Sequence, residues 1–190
     1  MITLIDNYDS FTYNVYHAIS KNGFKVNVIK NDKLIKNYQK IIDSKAVIIS
    51  PGPSNPYNAG ECLNLIDRIY SFMPILGICL GHQIIAAFFK NNIKKLKKPV
   101  HGKLSEIITI RKNKLFNNMP QKFLATRYHS LYVDKKKLTK DLSISCISND
   151  DNIVMGLKHK LYNIHGVQFH PESIETINGE QIIENFLKTV

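Results

Sequence analysis

Cysteine is scarce: three residues, Cys62, Cys79 and Cys146, stand far apart in a chain of 190. An odd, widely spaced set excludes a disulfide framework and the clustered ligands of a metal site, and it points to a reducing compartment such as the cytoplasm. No apolar run approaches the ~18 residues that a membrane span needs. The opening Met1-Ile2-Thr3-Leu4-Ile5 is broken at Asp6, so neither membrane insertion nor a cleaved targeting peptide is expected. Low-complexity tracts, internal repeats and linkers are also missing. A chain of this length fills one core but not two, so residues 1–190 are read as a single domain. Acidic side chains are few, 15 against 26 Lys and Arg, leaving a net charge of +11. Such an excess raises nucleic acid as a partner. The lysines, however, are scattered among asparagine and isoleucine, as in Asn91-Asn92-Ile93-Lys94-Lys95-Leu96-Lys97-Lys98, with no interleaved aromatics. With no helix-turn-helix or zinc pattern either, nucleic-acid binding is not expected.

What is present is an alternation of strand and helix patterns. Ile2–Ile5 is a short apolar strand ending in the polar turn Asp6-Asn7-Tyr8-Asp9-Ser10, with Asp9 or Ser10 as a helix N-cap. Phe11, Val15, Ala18 and Ile19 follow at helical spacing up to Asn22-Gly23, a helix stop. Lys25–Lys30 reads as a strand, Leu34–Ile42 as helical, and Ala46–Ile49 as a strand covered on both faces. A helix near Gly60–Phe72, a strand Ile75–Ile78 and a helix near Gly81–Phe89 repeat the theme. This pattern predicts an α/β fold: an open, doubly wound, mostly parallel sheet with helices on both faces. Beyond Lys103 only short runs recur, Ile107–Ile110, Phe123–Thr126, Ser143–Cys146, Ile153–Met155 and Tyr162–Phe169, which predict a small antiparallel flank. A final helix spans about Gly179–Lys188.

In such sheets ligands bind beyond the carboxyl ends of the strands, which singles out the turns at Asp6-Asn7-Tyr8, Pro51-Gly52-Pro53 and Cys79. The heptapeptide Gly77-Ile78-Cys79-Leu80-Gly81-His82-Gln83 carries the chemistry. A nucleophile on a sharp strand-to-helix turn needs neighbours without side chains, and glycines stand two residues to either side. The helix that follows aims its N-terminal amides at the sulfur, which favours the thiolate. The amide of Leu80 is placed for an oxyanion, and the amide of Gly52, in a stretch almost bare of side chains, can supply a second donor. Cys62 and Cys146 have no such setting and read as small buried hydrophobes.

A thiol needs a base. In His170-Pro171-Glu172 the proline favours extended backbone before it, so His170 and Glu172 project to one side and the carboxylate can fix the imidazole tautomer. Nucleophile, base and orienting acid are then Cys79, His170 and Glu172. His82, His101, His129 and His165 are weaker candidates. A helix turns His82 away from Cys79, and His165 has no acid two residues on. Arg127-Tyr128-His129-Ser130-Leu131 reads by chemistry alone as a polar loop between strands.

Taken together, Ser50-Pro51-Gly52-Pro53, the heptapeptide around Cys79, Arg127–Leu131 and Gly166-Val167-Gln168-Phe169-His170-Pro171-Glu172-Ser173 resemble the class I glutamine amidotransferase family. The resemblance runs from Met1 to the final helix. The opening Ile5-Asp6-Asn7-Tyr8-Asp9-Ser10-Phe11-Thr12 is similar to the branch that serves chorismate enzymes, component II of anthranilate synthase and of aminodeoxychorismate synthase. The resemblance implies a glutaminase. Cys79 would be its nucleophile, His170 its base and then acid, and Glu172 the orienting partner. Gly52 and Leu80 would form the oxyanion hole, and Gln83, Ser130 and Leu131, with the Pro51-Gly52-Pro53 turn, would hold L-glutamine. It implies no metal or cofactor on this subunit. Its ammonia would pass to a chorismate-using synthase large subunit in a hetero-oligomer, with Asp6–Thr12 and the His101-Gly102-Lys103 turn as candidate partner surfaces. One departure follows the nucleophile helix, where the family has a glycine pair and this chain has Lys90-Asn91-Asn92; an asparagine there is expected to take the left-handed conformation. Two other readings use the same residues: a glutaminase subunit of another amidotransferase, and a cysteine peptidase or esterase on the same fold.

Overall fold

In a computed structural model describing residues 1–190, nine strands form one sheet in the order β2-β1-β3-β4-β9-β8-β7-β5-β6. The parallel half comprises β1 (Ile2–Asp6), β2 (Val26–Lys30), β3 (Val47–Ile49), β4 (Ile75–Ile78) and β9 (Ile164–Val167). The antiparallel half comprises β5 (Ile93–Thr109), β6 (Lys122–Val133), β7 (Leu142–Ser148) and β8 (Val154–His159). Helices α1 (Thr12–Lys21), α2 (Tyr38–Ile42), α3 (Cys62–Ile69) and α4 (Leu80–Phe88) connect the first strands, and α5 (Gly179–Leu187) closes the chain.

Side-chain alternation along the parallel strands builds a core on each face. Ile2 and Leu4 of β1 and Ile48 of β3 join Val15 and Ile19 of α1 and Ile182, Ile183 and Phe186 of α5. Ile5, Val47 and Ile49 point the other way, onto Leu65 and Ile66 of α3 and Ile84 of α4. The two clusters hold 24 and 23 buried residues, so both faces are covered about equally and the doubly wound expectation holds. Each fully buried aliphatic side chain contributes about 1.5–3 kcal/mol.

Several local expectations change. Neither Asp9 nor Ser10 caps α1. Its N-cap position is Phe11, and the turn is held instead by Asp6, whose Oδ1 accepts from the Tyr8 amide at 2.8 Å and the Thr12 hydroxyl at 3.0 Å. The Tyr162–Phe169 stretch, grouped by sequence with the antiparallel flank, contains β9, which lies parallel to β4 and is antiparallel only along its other edge, to β8. A hairpin from β8 reverses the chain and so brings β9 back into the direction of the parallel half. The basic run Lys94–Lys98 and the expected turn at His101-Gly102-Lys103 both lie within β5, a long strand with irregular pairing to β6 between Lys95 and Val100 and between His101 and Lys103. Gly102 sits at the second irregularity with φ +62°, the conformation a bulge demands. Arg127–Leu131, expected as a loop, is the middle of β6. After α4 the left-handed residue is Lys90, φ 61°, not an asparagine. Asn91 is needed for its amide instead: its Nδ2 donates to the Ala86 and Phe89 carbonyls, and its Oδ1 accepts from the Thr139 amide at 2.7 Å.

Candidate active site

The turn from β4 to α4 puts Cys79 at φ 52°, ψ −98°, a conformation that costs an ordinary residue about 1–3 kcal/mol. Packing sustains it. A Cβ on Gly77 would lie 2.4 Å from the Gly81 backbone, and one on Gly81 would lie 2.4 Å from the Ile49 carbonyl oxygen. Strand β4, helix α4 and strand β3 therefore meet at a distance only glycine permits, while the Cys79 amide donates to the Val167 carbonyl at 2.8 Å. Cys79 is 5% exposed and opens into a cavity of about 170 Å³ walled by Gly52, Pro53, Leu80, Gln83, Ser130 and Leu131. That is below the roughly 300–1,000 Å³ of pockets for drug-sized ligands. A wider hollow of about 550 Å³ near Lys158–Asn163 contains no nucleophile, so size alone does not mark the site.

His170 follows β9, anchored by its amide on the Thr126 carbonyl at 3.0 Å and by the Thr176 hydroxyl, which donates to the His170 carbonyl at 2.6 Å. Its Nδ1 lies 2.6 Å from Oε1 of Glu172, a carboxylate fully shielded from solvent. The rings of Phe11 and Tyr128 pack edgewise at 5.3 and 5.1 Å. Burial opposes charge on the imidazole, but the Glu172 carboxylate and then Cys79 reverse it, so His170 stands well above its ordinary proton affinity. With Nδ1 committed to Glu172, the buried Nε2 has no other partner and is the atom available for proton exchange with the sulfur.

The remaining histidines are pushed the other way. His82, fully buried in α4, packs against Gly166 on the side away from the crevice, and burial drives it down to about 3. His165 is a packed strand histidine bonded to Asn163, lowered to about 4 by burial and then by Lys158. His129 is lowered to about 4 by burial and then by Arg127. His101 stays at the surface, edge-on to Tyr128.

The opposite wall of the crevice is β6. Arg127, 1% exposed, donates to His129 Nε2, to Ser105 and to Asp151. His129 Nδ1 bonds the Leu131 carbonyl at 2.9 Å, which also accepts from Gln83 Nε2 at 3.1 Å. The predicted Ser130 and Leu131 thus reach the cavity on a strand rather than a loop. Pro51 does not reach it: it is buried behind the turn, its carbonyl accepting from the Ser50 hydroxyl at 2.7 Å. A residue the sequence reading passed over is Gln168, fully buried, whose Nε2 donates to the Cys79 sulfur at 3.6 Å and whose Oε1 accepts from Gln83 at 3.0 Å. The signal was available. Gln168 stands two residues before His170, as Glu172 stands two after.

The family model for glutamine amidotransferase class-I matches residues 3–190. The chain belongs to the class-I glutamine amidotransferases. Within that family it is homologous to anthranilate synthase component 2. The protein of that name from Porphyra purpurea is 43% identical over 188 residues, covering 98% of each chain. The one from Azospirillum brasilense is 42% identical over 190 residues, 100% of this chain and 96% of that one. The archaeal one from Saccharolobus solfataricus is 42% identical over 193 residues, 98% and 97% respectively. Among solved structures, this amidotransferase superposes with a TM-score of 0.87 and 26% identity on a GMP synthase protein from Thermoplasma acidophilum, covering 98% of this chain and 92% of that. A glutamine amidotransferase from Thermotoga maritima shares the fold at TM-score 0.75 and 17% identity, over 99% of this chain and 80% of that one. No helix of the amidotransferase is long and apolar enough to cross a membrane.

Proposed function

We propose that this amidotransferase hydrolyses L-glutamine through a Cys79 thioester and supplies the ammonia to a chorismate-using synthase partner that makes anthranilate. The observation that carries the reading is the meeting of three distant segments: Cys79 on its strained turn, the buried His170–Glu172 pair, and a small cavity lined by Gly52, Leu80, Gln83, Ser130 and Leu131.

The steps follow from the atoms present. Cys79 gives its proton to His170 Nε2 and its sulfur attacks the substrate carboxamide carbon; Glu172 stabilises the imidazolium. The negative oxygen of the tetrahedral adduct is met by main-chain donors. Leu80 begins α4, so its N–H has no acceptor within the helix, and Gly52 donates to no backbone carbonyl. A Cβ on Gly52 would lie 2.5 Å from Asn7 and 2.7 Å from Leu80, so this wall requires glycine. The adduct collapses, the C–N bond breaks, and His170 returns its proton to the departing ammonia. Water, deprotonated by His170, then cleaves the thioester to glutamate. Gln83, Ser130 and Leu131 hold the amino-acid end of the substrate. The scheme needs no metal or cofactor, and it needs a reduced thiol, which fits a cytoplasmic or similarly reducing setting.

Anthranilate synthesis, as a hetero-oligomer with the large subunit, is the product assignment that the relatives named component 2 support. The test has two parts. Incubation with 6-diazo-5-oxo-norleucine should label Cys79 alone, and Cys79→Ser should lower ammonia release by at least about a thousandfold. Labelling elsewhere, or near-normal release from the variant, would refute the mechanism. Co-purification with the large synthase partner, followed by identification of its product, should return anthranilate; 4-amino-4-deoxychorismate, the folate precursor, or a product not made from chorismate would move the chain to another synthase.

A further inference from the structure

The hydrogen bond from Gln168 to the sulfur follows from a chain of forced choices. A side-chain amide can be turned end for end with little change in shape, so its orientation has to be read from its partners. The starting point is the Leu131 carbonyl, which can only accept. It already receives His129 Nδ1–H at 2.9 Å, so the end of Gln83 lying 3.1 Å away must be Nε2. The second N–H of Gln83 aims at Gln168, 3.0 Å away, which must therefore present Oε1. The amide nitrogen of Gln168 is then the end left facing Cys79 Sγ, at 3.6 Å. Reversing any one member would set two oxygens or two N–H groups against each other in a fully buried position, where the loss is not repaid by solvent.

The sulfur thus lies between two groups with opposite preferences. The Tyr128 carbonyl, 3.8 Å away, suits the S–H form, because it can accept that proton and repels a thiolate. Gln168 suits the thiolate, because it can only offer a donor from this side. We propose that Gln168 is a positioning residue for the nucleophile: its N–H holds Cys79 in the ionised, attacking form, with its polarity set from the Leu131 carbonyl through Gln83. The role rests on Cys79 being the nucleophile. It differs from that of His170, since the amide neither takes nor gives a proton. It also links occupancy of the substrate wall to the sulfur, because Gln83 belongs to both.

The test compares the unaltered full chain with Gln168→Met, which keeps length and loses the donor, and Gln168→Glu, which replaces the donor with an acceptor. Cys79 is alkylated with iodoacetamide across a pH range and the modified residue identified by mass spectrometry. In both variants the rate near neutral pH should fall roughly tenfold to a hundredfold and the midpoint of the profile should move up by roughly one to two pH units, the range of one hydrogen bond to a charged group. The kcat for glutamine should fall more than KM rises. Variants with lower thermal stability but an unmoved pH profile would overturn the proposal, leaving Gln168 a packing residue. If the unaltered chain labels with neither iodoacetamide nor 6-diazo-5-oxo-norleucine at Cys79, the nucleophile assignment falls first and this role with it. A measurement independent of the variants' folding is the side-chain amide 15N–1H signal of Gln168 in the unaltered chain. It should titrate together with Cys79 and shift on alkylation, and a signal that stays constant through both would also overturn the role.

Discussion

The two walls of the crevice are built in different ways. The wall from β4 and α4 is held by close contact: Gly77 on Gly81, Gly81 on Ile49, and a cysteine forced to positive φ between them. The wall from β6 is held by polar side chains, with Arg127 reaching Asp151, Ser105 and His129, and His129 reaching the Leu131 carbonyl. The first arrangement fixes reacting atoms to within the tolerance of packed backbone, and suits chemistry. The second places carbonyls and hydroxyls on a strand whose position depends on buried charges, and suits recognition. Substitutions on the nucleophile side should therefore act on the rate of the chemical step, and those on the β6 side on substrate affinity.

The sharpest test of that division is Glu172→Gln. The carboxylate is the largest of the influences that raise His170, so its removal should lower the imidazole's proton affinity and cut kcat by roughly a thousandfold with little change in KM. The pH–rate profile should move toward lower pH, since the protonated imidazole loses its stabilising partner. An unchanged profile would show that Glu172 only packs against the ring.

A second contrast lies in the histidines themselves. His170 is raised, so its contribution to stability is present below an ordinary histidine pKa near 6.5 and is lost as pH rises through its folded value. His129 is lowered to about 4, so its contribution is present above about 6.5 and is lost as pH falls toward 4. The unfolded chain takes up a proton in that window and the folded one does not. For His129 this amounts to about 3 kcal/mol, and His82 and His165 act in the same direction. Denaturant titrations should show stability falling from pH 6.5 to 4, and His129→Gln should reduce that slope by up to about 1.4 kcal/mol per pH unit. An unchanged slope would mean that His129 is charged in the folded protein.

Arg127→Met removes the base of the β6 network while filling much of the same volume. It should raise KM for glutamine about tenfold and leave kcat within about a factor of three, as expected for loss of positioning without loss of reacting groups. An equal fall in kcat would erase the distinction between the walls. Because Arg127 also holds His129 down, the variant should bring the His129 titration closer to neutral pH, which proton NMR can follow.

The same contrast explains which parts of the site were legible in the sequence. Gly77–Gln83 announces its geometry because every constraint on Cys79 is local, and the oxyanion turn and the His170–Glu172 pair are equally short-range. The β6 wall was not legible. Arg127–Leu131 has the composition of a loop and becomes a strand only through pairing with β5, itself a lysine-rich stretch with little intrinsic strand pattern. Local propensity yields there to tertiary context. The direction of β9 was missed for a related reason: the absence of a helix after β8 predicts a hairpin, but not that the far edge of that hairpin docks beside β4. Gln168 was missed because the period-two alternation that linked His170 to Glu172 was not also read backwards.

Lys90 provides the smallest and cleanest check, because it lies on neither wall. The family resemblance leads one to expect glycine after α4, and the chain keeps the turn by placing an exposed lysine at φ 61°. Left-handed backbone costs an ordinary L-residue about 1–2 kcal/mol, and glycine returns part of that through its greater freedom in the unfolded chain. Lys90→Gly should therefore raise stability by about 0.5–1 kcal/mol in urea titration, with no change in ammonia release, because the Asn91 amide still ties the Ala86 and Phe89 carbonyls to the Thr139 loop. Asn91→Ala should do the opposite, since it strips partners from buried carbonyls and from the Thr139 amide. If Lys90→Gly destabilised the chain instead, the turn would be held by the lysine side chain, and the strain assigned to its backbone would be wrong.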